Sequence, residues 1–294
     1  MELKDRKIQI VIWTNHSFSW NEGGTLVLFY LCKFINDLNH PIFYSKLYLP
    51  YEQQKIYPFS NIYYVYDEHE IDDNTIVIYP EDVRDNPLLC KNVIRWLLQS
   101  TIKLISTWKD TDLIYVWDKC QTEFKNKIEK VLLIPYCNPI FKKKNNNERT
   151  KTCYLIKKGI YYHDTLNFFH PTDSILINHY DSLEYISDVF NQCKYFYCYD
   201  PLCMYSVYAV LCGCITILYP TKNKTKEEYF KEGYFKRNNR IYNYGIAYGN
   251  SEEEIKFATD TLAEGESMHK ELFESYKDTV YDLIKDLEIY FKEN

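Results

Sequence analysis

Three short stretches set chemistry-bearing side chains beside glycine or at the end of an apolar run. Lys157-Lys158-Gly159 comes straight off the apolar run 153–156, Asp200 closes the run 195–199, and Gly23-Gly24 lies between a first β-branched run, 8–14, and a segment patterned as a helix. Two lysines at the carboxyl end of a strand can hold a diphosphate as point charges. A carboxylate at such an end can accept from sugar hydroxyls, and it can equally cap the next helix. Glycine lets backbone come close to a ligand, and the N–H groups at a helix start favour an anion or hydroxyls; an ordinary tight turn is the alternative. The chain has only eight glycines, which makes their placement informative.

Other spellings exclude more than they suggest. No GxGxxG fingerprint and no Walker A loop is present, which removes the commonest NAD and ATP readings. Asp110-Thr111-Asp112 could bind manganese or magnesium through hard oxygen ligands, but it precedes a predicted strand where a metal pair should follow one. Cys212-Gly213-Cys214 is too tight for the usual CxxC pairs and has no His-x-x-x-His partner. Several of the ten cysteines sit inside apolar runs, as in Leu31-Cys32, which fits buried thiols in a reducing compartment.

The elements that must position these residues alternate regularly. In the first half, 8–14 reads as strand, 25–38 as helix, and 41–48, 62–66 and 75–79 as buried strands. Asn86-Pro87 opens a predicted helix reaching about residue 98, and strands at 113–117 and 131–135 follow. After a Lys/Asn run, strand 153–156, a helix-permissive stretch at 164–168, strand 174–177, helix 181–192, strand 195–199, helix 202–211 and strand 215–218 repeat the pattern. Asp181 and Glu184 have capping-box spacing. Helices at 252–262 and about 268–291 close the chain. Two successive βαβ series imply an α/β protein with two parallel, helix-covered sheets.

The 294 residues divide into a first domain at 1–141, a solvated linker at 142–150, a second domain at 151–275 and a terminal helix at 276–294 that packs back on the first. A formal net charge of −6 gives no field for a polyanion, so nucleic-acid binding is disfavoured. The charged start and the short apolar run after it predict no export and no membrane insertion. The excess of Tyr, Ile, Lys and Asn is what AT-rich coding produces.

The block from Tyr195 to Asp200, followed by Ser206 and by Ala209-Val210-Leu211-Cys212-Gly213-Cys214-Ile215, resembles the E-x7-E and A-C-G-x-P-V-V donor-binding signature of the GT4-like group of GT-B glycosyltransferases. Aligning on Cys212-Gly213 sets Asp200 at the first acidic position and Tyr208 at the second, a departure that leaves Tyr205 or Ser206 for the ribose contact. Asn86-Pro87 with Asn92-Val93-Ile94-Arg95-Trp96-Leu97-Leu98 looks like the N-P and V-V-R-W-L-L element of a bacterial and viral-type subgroup. Cys153 to Gly159 is similar to that subgroup's Y-x-x-R-K-G diphosphate element, with Lys157 at the Arg position. The matches span roughly residues 8–220.

This resemblance implies a GT-B fold, two Rossmann-like domains facing a central cleft, and transfer of a sugar from a UDP- or GDP-type donor to a glycan or small acceptor. The donor would meet Lys157, Lys158, Gly159, Tyr199, Tyr205, Ser206 and Gly213. The acceptor side would hold Gly23, Gly24 and His16, with His16 and Asp200 as catalytic candidates. Lysines and helix-terminal N–H groups would stabilise the leaving diphosphate, so no cofactor and no obligatory metal is implied. The implied location is cytoplasmic, the host's if the gene is viral. The alternatives are a GT-A enzyme using Asp110 and Asp112, a GT-B-shaped sugar-binding scaffold without activity, and a nucleotide-sugar 2-epimerase, which no acidic pair near His16 supports.

Overall fold

The computed structural model describes residues 7–20, 22–49, 60–98, 107–117, 130–144, 148–157, 159–162, 168–178, 180–222, 224–231, 235–237 and 240–293. The chain forms two compact units, the first made of Met1–Tyr136 with Ser275–Asn294 and the second of Cys137–Glu274.

In the first unit β1 (Ile8–Trp13), α1 (Gly23–Asp37), β2 (Phe43–Tyr48), β3 (Ile76–Pro80), β4 (Asn92–Leu97), β5 (Leu113–Val116) and β6 (Lys130–Val131) follow in order. Their strands form one sheet, β2-β1-β3-β4-β5-β6, with every pairing parallel. Alternation along β1 explains why the strand is apolar at every position but Gln9, whose Oε1 accepts from the Tyr44 hydroxyl. Ile8, Ile10 and Ile12 pack with α1, through Phe29 and its neighbours, while Val11 and Trp13 join Val77, Tyr79, Val83 and Leu88 in a separate cluster. A sheet buried on both faces needs continuous hydrophobicity rather than a polar alternate.

The helix predicted from Asn86 to residue 98 is a turn followed by β4. Asn86 Oδ1 accepts from Cys90 N and from the Tyr79 hydroxyl, and its Nδ2 donates to Cys90 O, so this side chain builds the turn. A short apolar run does not separate buried strand from buried helix by periodicity. The predicted strand at 62–66 contributes only a bridge between Leu47 and Tyr64.

The second unit contains β7 (Lys151–Leu155), α2 (Gly159–Tyr162), β8 (Ile175–Leu176), α3 (Leu183–Gln192), β9 (Cys193–Cys198), α4 (Tyr205–Leu211), β10 (Ile215–Leu218), α5 (Lys226–Phe230), β11 (Lys236–Arg237), β12 (Arg240–Ile241), β13 (Ile246–Tyr248) and α6 (Glu252–Glu274). Its main sheet runs β13-β10-β9-β7-β8, again all parallel, and β11 and β12 form an antiparallel ribbon. Most of the predicted stretch 164–168 lies outside the described residues. The connection into this unit is tied down where it is described: Lys144 N donates to Asn191 Oδ1, Asn191 Nδ2 donates to Lys142 O, and Lys144 pairs with Asp188.

Two helix signals resolve differently from their spelling. Ser182, not Asp181, caps α3, accepting from Tyr185 N, while Asp181 accepts from Asn178 N in the preceding turn. The predicted break at 263–267 is helical, because Gly265 sits where a Cβ would lie 2.7 Å from Tyr244 O; the glycine permits close packing. The actual break is at Ser275, after which α7 (Tyr276–Glu293) belongs to the first unit. There Tyr276 stacks on Phe34 at 3.5 Å, Val280, Leu283, Ile284 and Leu287 enter the core, and Asp286 accepts from the Tyr115 hydroxyl at 3.0 Å. Among the described residues no helix is long and apolar enough to cross a membrane.

Both sheets reverse direction once. In the first the reversal falls between β1 and β3, and in the second between β7 and β9. Ligands of open parallel sheets bind outside the carboxyl ends of the strands at such a reversal.

Candidate functional site

The reversal in the second unit brings Asp200 and the Lys157–Gly159 turn together. Asp200 Oδ1 accepts from Lys157 N at 2.9 Å and from Gly159 N at 2.7 Å, and the residue is buried. One carboxylate oxygen thus fastens the loop after β7 to the loop after β9. Gly159 is required by that closeness, since a Cβ there would overlap the Tyr199 carbonyl oxygen. The backbone N–H groups of Lys157 and Gly159 are both spent on Asp200. Lys157 is half-buried, and Lys158 lies outside the described residues.

Beyond Asp200, Leu202 adopts a φ of 50°, a conformation uncommon for a residue with a Cβ, and its N–H donates to the Tyr229 hydroxyl. Tyr199 is buried, and its hydroxyl accepts from Phe169 N at 3.1 Å and meets His170 Nδ1 at 2.8 Å. Burial lowers the His170 pKa, and its ring stacks on Tyr154 at 3.9 Å. Tyr199 therefore fixes the 168–170 segment against the sheet.

Three residues of the sequence motif have structural duties. Ser206 is fully buried and its hydroxyl donates to Cys203 O at 2.5 Å, closing the turn into α4. Gly213 lies between the end of α4 and the start of β10, at the amino ends of the strands and away from the binding end. Its φ of +80° explains the glycine, and Arg149 donates to the adjoining Cys212 O at 2.7 Å. Tyr208 lies flat on Phe141, with ring centroids 4.2 Å apart. Tyr205 remains at the head of α4, its phenol pushed up to about 12 by burial.

In the first unit the loop after β1 meets the loop after β3. Asn15 Nδ2 donates to Asp82 Oδ2 at 2.8 Å, and the Trp13 indole N–H donates to Asn15 Oδ1 at 2.6 Å. His16 is exposed in the same loop, its carbonyl held by the Thr14 hydroxyl at 2.9 Å. Gly23 and Gly24 open α1, whose N-cap residue, Glu22, makes no side-chain capping bond. An added Cβ at Gly23 meets nothing within 4 Å, and at Gly24 only Leu98 at 4.0 Å. Among the described residues nothing demands glycine at either position. At a helix start each is less favourable than alanine.

Asp112 is buried and accepts from Arg95 Nε at 2.8 Å, while the other guanidinium nitrogens donate to Val83 O and Asp85 O. The Asp110/Asp112 spelling is therefore half of an internal ion pair rather than a metal pair. Among the described residues no three His, Cys, Asp or Glu side chains group so as to hold a metal.

Asp82 and His170 carry no signal in the sequence. Each sits in an irregular stretch, and only the strand order reveals that Asp82 faces the loop holding His16.

No family model matches the chain, and no curated protein matches it. Among solved structures the fold is similar to that of T4 phage BGT in complex with UDP and Mn2+, with 10% sequence identity, 93% of this chain and 99% of that chain covered, and a TM-score of 0.47.

Proposed function

We propose that this chain is a GT-B type glycosyltransferase that moves a sugar from a UDP- or GDP-type donor to a glycan or small acceptor in the cytoplasm, with no obligatory metal. The observation that carries this reading is the Asp200 clamp at the strand-order reversal of the second unit. It holds Lys157 at the end of the sheet where a donor diphosphate would lie, with Lys158 next to it in the sequence. Lysine charge there stabilises the leaving diphosphate as the sugar departs, the electrostatic contribution that matters most when charge develops in the transition state. Asp200 acts by holding this turn, and the open space at Gly23 and Gly24 serves the acceptor side together with His16.

The test is a thermal-shift screen of UDP-glucose, UDP-N-acetylglucosamine and GDP-mannose, followed by nucleoside diphosphate release with and without EDTA. A donor present at a hundred times its Kd stabilises the protein by about 2.7 kcal/mol. Absence of a shift with every donor would overturn the reading, and activity lost on chelation and restored by manganese would overturn its metal independence. A second reading, a sugar-binding scaffold, is favoured by Tyr208 packing on Phe141 where the resemblance calls for a carboxylate. A donor that binds without ever releasing nucleoside diphosphate supports the scaffold instead.

A further inference from the structure

We propose that Cys198 and Cys203 form a redox pair whose oxidation to a disulfide weakens donor binding, an inference that rests on the transferase reading above. Cys198 ends β9 and Cys203 lies two residues before α4, so the pair brackets Asp200. The chain between them turns back through Leu202, whose φ is 50° and whose N–H donates to the Tyr229 hydroxyl. Both cysteines adjoin that tyrosine, and the Cys203 thiol stands within hydrogen-bonding reach of the Cys198 thiol. Cys198 Sγ also donates to Asp200 O at 3.5 Å. Both are free thiols, and they differ in access: Cys198 is 1% exposed, whereas Cys203 is only half-buried.

That asymmetry sets the order of the reaction. Burial holds the Cys198 thiol well above its ordinary range, so it stays protonated, and Cys203 meets an oxidant first. With a small disulfide such as oxidised glutathione, the Cys203 sulfur attacks one glutathione sulfur and the other leaves with the bonding electron pair. The Cys198 sulfur then attacks Cys203 in the mixed disulfide and expels the second glutathione. Each cysteine gives its proton to a departing glutathione, so two protein thiols are oxidised as one glutathione disulfide is reduced to two thiols. A sulfur–sulfur bond is about 2.05 Å long, far shorter than a contact between thiols. Its formation draws the head of α4 toward the end of β9 and removes the S–H that Asp200 O accepts. Asp200 lies on the contracting loop, and its Oδ1 is bonded to Lys157 N at 2.9 Å and to Gly159 N at 2.7 Å, with no slack in either. The disulfide therefore displaces Lys157, and with it the charge offered to a donor diphosphate.

The experiment uses the full chain and whichever of UDP-glucose, UDP-N-acetylglucosamine and GDP-mannose stabilises it when reduced. After incubation with oxidised glutathione, peptide mapping is expected to find Cys198 joined to Cys203. Donor affinity, read by calorimetry, is expected to fall about 5–150-fold, and dithiothreitol to restore it. Coupling between two equilibria is reciprocal, so saturating donor should make the pair harder to oxidise by the same factor. A disulfide without influence on the site would not respond to the donor. Cys203→Ser and Cys203→Ala cannot form the bond, and each is expected to keep its reduced-state donor affinity through the same treatment. A chain that binds donor yet forms no Cys198–Cys203 bond, that binds donor equally well with the bond formed, or that loses affinity in the Cys203 variants too, overturns this inference and leaves the transferase reading standing. A reduced chain that binds no donor overturns the transferase reading and this inference with it.

Discussion

Arg95 and Asp112 pair inside the first unit at 2.8 Å, with side chains 1% and 3% exposed, and the guanidinium lies over the rings of Tyr79 and Trp108. Removing the carboxylate leaves a buried cation without its counter-charge. Asp112→Ala is expected to destabilise the unit by about 3–5 kcal/mol, and Asp112→Asn by less because an acceptor oxygen remains. All five tryptophans lie in this unit, so the midpoint of urea unfolding followed by tryptophan fluorescence reads it alone. A change below about 1 kcal/mol would mean that water reaches the pair.

The glycines of the two candidate loops should respond in opposite ways. Gly159→Ala drives a methyl into the Tyr199 carbonyl and should destabilise the second unit by about 1–3 kcal/mol. Gly23→Ala meets no described atom within 4 Å and should stabilise by roughly 0.5 kcal/mol, while on the proposed acceptor role of this loop it should slow transfer about tenfold. Calorimetry and turnover on the same samples check both. A Gly23→Ala chain that is both more stable and fully active would reduce Gly23-Gly24 to an ordinary turn.

Acid should loosen the second unit through His269, which is fully buried on α6. Desolvation lowers its pKa to about 4, against a smaller opposing pull from the Tyr244 backbone. The unfolded chain, with a histidine near 6.5, binds the proton first. Stability is therefore complete above about pH 6.5 and falls as the pH drops toward 4, by roughly 3 kcal/mol in all. His269→Met should flatten that slope in circular-dichroism melts recorded between pH 4 and 7. An unchanged slope would assign the acid sensitivity to other groups.

Deleting residues 276–294 should unfold the first unit and spare the second. Val280, Leu283, Ile284 and Leu287 are all in the core, each worth about 1.5–3 kcal/mol. A red-shifted tryptophan emission with much of the helical signal retained is the expected result. Native emission from the shortened chain would show that α7 only decorates the surface.

The two parallel sheets are readable in the sequence because their central strands are spelled as largely apolar runs. The same physics hides β4, where 92–97 suits a buried helix equally well and the pairing of Arg95 with Asp112 is visible only in the fold. Asp200 and Gly159 are visible as strand-end residues. That one oxygen of Asp200 holds two backbone N–H groups depends on the approach of loops far apart in the chain. For Ser206 and Gly213, spelling does not say which end of the sheet a residue occupies or whether its hydroxyl is already bonded. Asp82 is invisible for the same reason, since Asn15 reaches it only once β1 and β3 lie side by side.

The return of α7 also sets an order of events during synthesis. The second unit is continuous in the chain, whereas the first joins Tyr115 to Asp286 across 171 residues. As the chain leaves the ribosome, the unit made first must wait with an apolar face uncovered until the helix made after the second unit arrives. Domains usually fold in the order of their synthesis. Here the second unit closes first, and the opening strands of the chain are the last to be sealed.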